Sequence, residues 1–93
     1  MGSARRPRPA RLAAKLRQIR ISLGLTQAEM FERLGDTGTR LYVGHIDDYE
    51  KGRRVPTLQV TLAYARVAGI PMEVIVDDEL DLPNRLPSRR VRS

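Results

Sequence analysis

Apolar residues recur along this chain at helical intervals, in runs set apart by glycine, proline and short polar residues. Leu12, Leu16, Ile19 and Leu23 are spaced three or four apart, the interval that lines one side of an α-helix. Arg11, Lys15, Arg17 and Arg20 fill other positions. Pro9 suits the first turn of such a helix, where its missing N–H is no loss, and Gly24 suits the residue just past its end. The spacing predicts a helix over about 9–23.

The next run is announced by its cap. Thr26 can accept from the first-turn backbone, and Glu29 three places on can answer it, completing a capping box. Leu25 before the cap and Met30 inside the helix can close a hydrophobic staple. Met30 and Leu34, with Phe31 beside them, predict the buried face of a short helix over 27–34, ended by Gly35. From Asp36 to Gly44 the pattern changes: Asp and Gly ask for a turn, while Thr, Leu, Tyr and Val tolerate extension. A loop of about eight residues is expected here. A third helix follows over about 44–51, with Ile46 and Tyr49 on one side and Gly52 as its stop. Val55 before Pro56 should be extended. Thr57 caps a fourth helix whose inner face is read as Leu58, Thr61, Leu62, Ala65 and Ala68, closed by Gly69. Ile70-Pro71 opens a fifth, short helix with Met72, Ile75 and Val76 inward. No internal repeat is visible.

Charge adds a second layer. The chain of 93 residues carries a formal charge of +6, from 17 Lys and Arg against 11 Asp and Glu. Residues 1–20 hold seven cations and no acid, Glu73–Asp81 hold five acids, and Pro83–Ser93 hold four arginines. A polyanion would meet the first segment and avoid the middle one. Arginine makes up fifteen of the seventeen cations. Its donor fork suits phosphate and base edges, although a GC-rich genome produces the same excess. There is no cysteine and one histidine, His45, so no thiolate metal site and no catalytic constellation is in sight. No cofactor, metal or small-molecule ligand is implied, and no enzyme is expected. No apolar stretch approaches a membrane span. The N-terminus lacks the apolar middle of a secretory signal, so a cytoplasmic, nucleoid-associated protein is expected. Three segments are expected: a disordered basic arm over 1–8, a folded domain over 9–82 and a disordered basic tail over 83–93.

The string Leu25-Thr26-Gln27-Ala28-Glu29-Met30, then Leu34-Gly35, then His45-Ile46-Asp47-Asp48-Tyr49-Glu50-Lys51-Gly52-Arg53-Arg54-Val55-Pro56-Thr57-Leu58 resembles the phage-repressor and Cro-like, or Xre-like, helix-turn-helix family. Residues Leu62–Ile75 resemble its closing two helices. The resemblance covers about 9–76 and implies an all-α fold, a compact five-helix repressor-type domain with flexible basic termini. It implies double-stranded DNA as partner, bound by a homodimer that in some cases forms only on DNA.

By position, the resemblance places Gln27 near DNA phosphate. It places Gly44, His45 and Asp48 on the groove-facing side of the recognition helix, with Val43 just before them. Arg53 and Arg54 match the basic turn that contacts phosphate, and Ile46 and Tyr49 match packing positions. Arg40 and Tyr42, in the long turn, are further candidates for backbone or groove contact. Each has a plainer reading. Gln27 is also an ordinary first-turn residue and His45 a solvated loop histidine, while the N-terminal arginines read either as an arm entering the minor groove or as a nonspecific electrostatic aid. The acids Asp77-Asp78-Glu79 read as a solvated helix exit, or as a surface for a partner subunit's basic arm.

Two departures stand out. The stretch from Asp36 to His45 is longer than the family's usual turn. Asp47-Asp48 is acidic where phosphate would approach: Asp48 can accept from a cytosine amino group, or it can pair with Arg53 or Arg54 and orient an arginine. The function expected is a sequence-specific transcriptional regulator with a recognition helix over about 44–51 in the major groove. The alternative is a protein-interaction module, such as an antitoxin or adaptor, with weak or no operator reading.

Overall fold

A computed structural model describes residues 9–87 and shows five helices with no strand among them. They are α1 (Leu12–Ser22), α2 (Gln27–Leu34), α3 (Val43–Glu50), α4 (Leu58–Ala68) and α5 (Met72–Val76). The expected arm over 1–8 and the tail beyond 87 lie outside the described residues. Helix α1 packs against α3, α4 and α5, α2 against α3 and α4, and α4 against α5. One core results, in which Leu16, Ile19, Met30, Ile46, Val60, Tyr64 and Ile75 are fully buried.

Local chemistry sets the helix ends. Thr26 accepts from the Glu29 N–H at 3.0 Å while Glu29 accepts from the Thr26 N–H at 2.8 Å, so the capping box is present. Thr57 caps α4 by accepting from Val60 N–H. Gly69 ends α4 at φ 77°, ψ 29°, a left-handed conformation that a side chain would resist.

Helix α1 starts differently from expectation. It begins at Leu12 rather than near Pro9, and Arg11 offers no side-chain cap. The cap comes from the far end of the fold: Asp78 accepts from the Ala10 N–H at 2.8 Å and the Arg11 N–H at 3.0 Å. Arg11 pairs with Asp81 at 2.7 Å and donates to the carbonyls of Asp78 and Leu80. Lys15, 3% exposed, donates to the carbonyls of Val74, Asp77 and Leu80 at 2.7–2.8 Å. Burial and then the Arg11 charge lower its pKa, while Asp78, Asp77 and Asp81 pull it back up. Asp78 and Asp81 of the acidic run are therefore occupied within the chain, closing the segment after α5 onto α1.

Two other expectations need correction. The folded part does not stop at residue 82: Leu86 is 2% exposed and belongs to the core. The last helix ends at Val76, yet an irregular segment beyond it can still insert an apolar side chain. The inner face of α4 is also rotated from the expected one. Thr61, Ala65 and Ala68 are buried, but Leu58 is 71% and Leu62 38% exposed, and Val60 and Tyr64 take the core instead. Nearly every position of α4 is apolar, so periodicity alone leaves its face open. The phenol of Tyr64 settles the matter by size.

Two outcomes follow from this packing. Leu86→Ala should cost about 2–4 kcal/mol in urea denaturation, the usual range for a buried leucine truncated to alanine; an unchanged midpoint would place Leu86 outside the core. Hydrogen bonds from Ala10 and Arg11 hold the Asp78 carboxyl below its ordinary range. Its folded pKa is thus lower than its unfolded one. The stability it adds is present above the unfolded value, near 4, and is lost as pH falls toward the folded value. The Tm of Asp78→Asn should lie below that of the parent at pH 7, and the gap should close as pH is taken below about 4.

Candidate nucleic-acid interface

Helix α3 is pinned from below by Ile46 and Tyr49, 0% and 4% exposed, and by Glu50 at its last residue. Its N-terminal end faces outward, where Tyr42, Val43 and Gly44 are exposed. A side-chain atom built on Gly44 would meet nothing within 4 Å, so the surface there is open. The helix starts one residue before the expected position, at Val43.

His45 is turned toward the start of its own helix. Its Nδ1 accepts from the Tyr42 N–H at 3.1 Å, which places the proton of the neutral ring on Nε2. The ring lies 5.5 Å from that of Tyr42 and 6.3 Å from that of Tyr49, centre to centre. Any contact outward from His45 must therefore come from Nε2. Among the described residues, the Arg40 side chain reaches only the Tyr42 hydroxyl, at 3.5 Å.

A network of side chains fastens α3 to its neighbours. Arg20 of α1 forms a bidentate pair with Glu50, Nε to Oε2 at 2.6 Å and Nη2 to Oε1 at 2.9 Å, and donates from Nη1 to the Leu25 carbonyl. The pair is largely shielded, with 16% of the Arg20 and 3% of the Glu50 side chain exposed. The hydrogen bond to Glu50 raises the Arg20 pKa, which burial lowers in part. Gln27, at the start of α2, donates to Asp47 at 3.1 Å and to Glu50 at 3.3 Å. Its amide is thus turned inward onto two carboxylates, a role that the chain pattern did not suggest. The same holds for Arg20 and Glu50, thirty positions apart in sequence.

The acids of α3 are also engaged. Arg53 bonds Asp47 at 2.8 Å and Asp48 at 3.1 Å, Lys51 pairs with Asp47 at 3.3 Å, and Arg54 approaches Asp48 at 3.8 Å. Gln27 first, then Lys51 and Arg53, keep the Asp47 carboxyl below its ordinary range. Asp48 raises the Arg53 pKa. Of the two readings of Asp48, arginine pairing is the arrangement present. Gly52 makes the turn that folds the arginines back, at φ 74°, a backbone conformation that a side chain would strain. Behind it, burial raises the Tyr49 phenol pKa. Among the described residues, no cluster of His, Asp and Glu suits a metal ion, and no helix is long and apolar enough to cross a membrane.

Comparisons with known proteins agree with this geometry. The chain matches the helix-turn-helix domain family over residues 11–76. It is 30% identical over 78 residues to the cryptic phage CTXphi transcriptional repressor RstR of Vibrio cholerae, a match covering 83% of this chain and 66% of that repressor. No solved structure matches it.

The shielded pair predicts a large single-residue effect. Glu50→Ala leaves Arg20 and Gln27 without their acceptor and should cost about 3–5 kcal/mol, as removal of one partner of a buried pair does. Replacing both Arg20 and Glu50 by leucine should recover most of that loss in the same urea titration.

Proposed function

This chain belongs to the helix-turn-helix domain family of DNA-binding, repressor-like regulators, and we propose that it reads specific duplex sequences by laying α3 in the major groove. The observation that carries this reading is the two-sided character of α3. Ile46 and Tyr49 are held in the core, while Tyr42, Val43 and Gly44 stand outward with Arg53 and Arg54 just beyond the helix. An α-helix fits the major groove, and a small exposed surface at its N-terminal end lets the backbone come close to base edges. His45 presents Nε2 there. Asp47 and Asp48 do not repel phosphate as free acids would, because Arg53 and Lys51 neutralise them. Arg54, with the longer ion-pair distance, is the freer of the two arginines to turn onto phosphate. Arg40 and Tyr42 flank the same edge from the long turn. Gln27 acts through α3, holding Asp47 and Glu50.

One reading helix covers few base pairs, so two copies on two half-sites belong to the proposal. The RstR likeness supports a regulator's role, with RstR itself described as a transcriptional repressor. A second reading, a protein-interaction module, draws on Leu58 and Leu62, which are exposed on α4. An unbiased selection from random duplexes separates the two: an enriched motif supports the reader, and a flat profile supports the module.

On a selected site, log affinity against log salt should fall with a slope of about −0.9 per phosphate neutralised. Arg54→Ala should flatten that slope by about one unit on specific and nonspecific DNA alike. Arg53→Ala should weaken binding to all sequences. Asp48→Ala should alter the base-preference profile, and an unaltered profile would remove Asp48 from the reading surface.

A further inference from the structure

The first part of the long turn, Gly35 to Thr39, is the feature that groove reading leaves without a task. An open cleft of about 510 Å³ lies between the end of α2, this turn and α4. Leu34, Leu62 and Val67 give it an apolar wall. Arg33 of α2 and Arg66 of α4 also line it. Both are exposed, and neither guanidinium forms a hydrogen bond or ion pair with another described residue.

Thr37 lines the same cleft. It is 6% exposed, and its Oγ1 is buried with no hydrogen-bond partner. Buried hydroxyls are normally paired, and one without a partner is a standing cost to the fold. Asp36 lines the cleft as well; its Oδ1 accepts from the Gly38 N–H at 2.9 Å, and it forms no ion pair with either arginine. Two unpaired guanidinium groups, an orphaned hydroxyl and an apolar wall therefore meet in one cleft. A few polar groups set in apolar surroundings is the usual make-up of a small-molecule site, and guanidinium forks suit carboxylate or phosphate.

We infer that this cleft binds a small organic anion, its carboxylate or phosphate held by Arg33 and Arg66 and its apolar body laid on Leu34, Leu62 and Val67. The Thr37 hydroxyl has no accessible surface in the free chain, so the turn has to shift on binding for it to gain its missing partner. The occupant ties α2 to α4 across the turn that leads into Tyr42, Val43 and Gly44, so filling the cleft restrains the approach to α3. The binding claim does not rest on the DNA reading and is tested without DNA.

The experiment is a titration of the isotope-labelled full chain with phenyl phosphate, with inorganic phosphate as the bare anion, followed by NMR. Saturable shifts are expected at the backbone amides of 36–38 and 62–67 and at the Arg33 and Arg66 Nε. Phenyl phosphate should bind more tightly than phosphate if the apolar wall takes part. Arg33→Gln and Arg66→Gln should each weaken binding roughly tenfold, as loss of one charge-assisted hydrogen bond does. Arg85→Gln, outside the cleft, should leave it unchanged. Thr37→Val should raise the Tm of the free protein and weaken phenyl phosphate binding. Shifts spread equally over all exposed arginines, absence of saturation into the millimolar range, or full binding by Thr37→Val would each overturn the site.

Discussion

Arg20 and Glu50 meet where three helices converge, and the position of α3 depends on that meeting. Arg20 comes from the last turn of α1 and Glu50 from the last residue of α3, and Gln27 reaches the same carboxylate from the first residue of α2. A charge placed in so shielded a spot is tolerated only when its partner has good geometry and its remaining donors are used. Here both conditions hold, because the third arm of the guanidinium goes to the Leu25 carbonyl. Apolar contacts from Ile46 and Tyr49 hold α3 in the fold. The ion pair adds direction, setting how far α3 can roll about its axis and so which residues it turns outward.

The same economy governs the charge next to α3. A pair of aspartates on the helix proposed to approach DNA looks like a fault when read alone. In the folded chain the two acids are absorbed by Gln27, Lys51 and Arg53, and the surface left over is the uncharged N-terminal end of the helix with a basic turn beyond its other end. At the opposite pole, Asp78 and Asp81 are consumed in the same way by Arg11 and the free N–H groups that begin α1. Local acids are thus spent inside the domain.

Much of this was legible along the chain. The capping box at Thr26 and Glu29, the cap at Thr57 and the stops at Gly35, Gly52 and Gly69 are local signals, and local signals survive folding. The order of these pieces also carried the family. The rest depended on contacts between distant positions. The arginine at 20 reads as one more cation in a basic run until α3 brings Glu50 beside it. Leu86 lies between the chain-breaking Pro83 and Pro87, and nothing near it in sequence shows that the core has a place for it. The face of α4 was hidden because its sequence is apolar on nearly every side. Gln27 matched a phosphate-contact position, but only the fold shows its amide turned onto Asp47 and Glu50.

Since side chains at 20, 27 and 50 set the angle between α2 and α3, the backbone joining those helices is relieved of that duty. Its exposed positions can change without disturbing how the two rods cross, whereas Thr37 is buried and Leu41 packs on the core. Insertions there are cheap raw material for new attachments, whereas a change at any of the three anchoring positions would be felt across the whole domain.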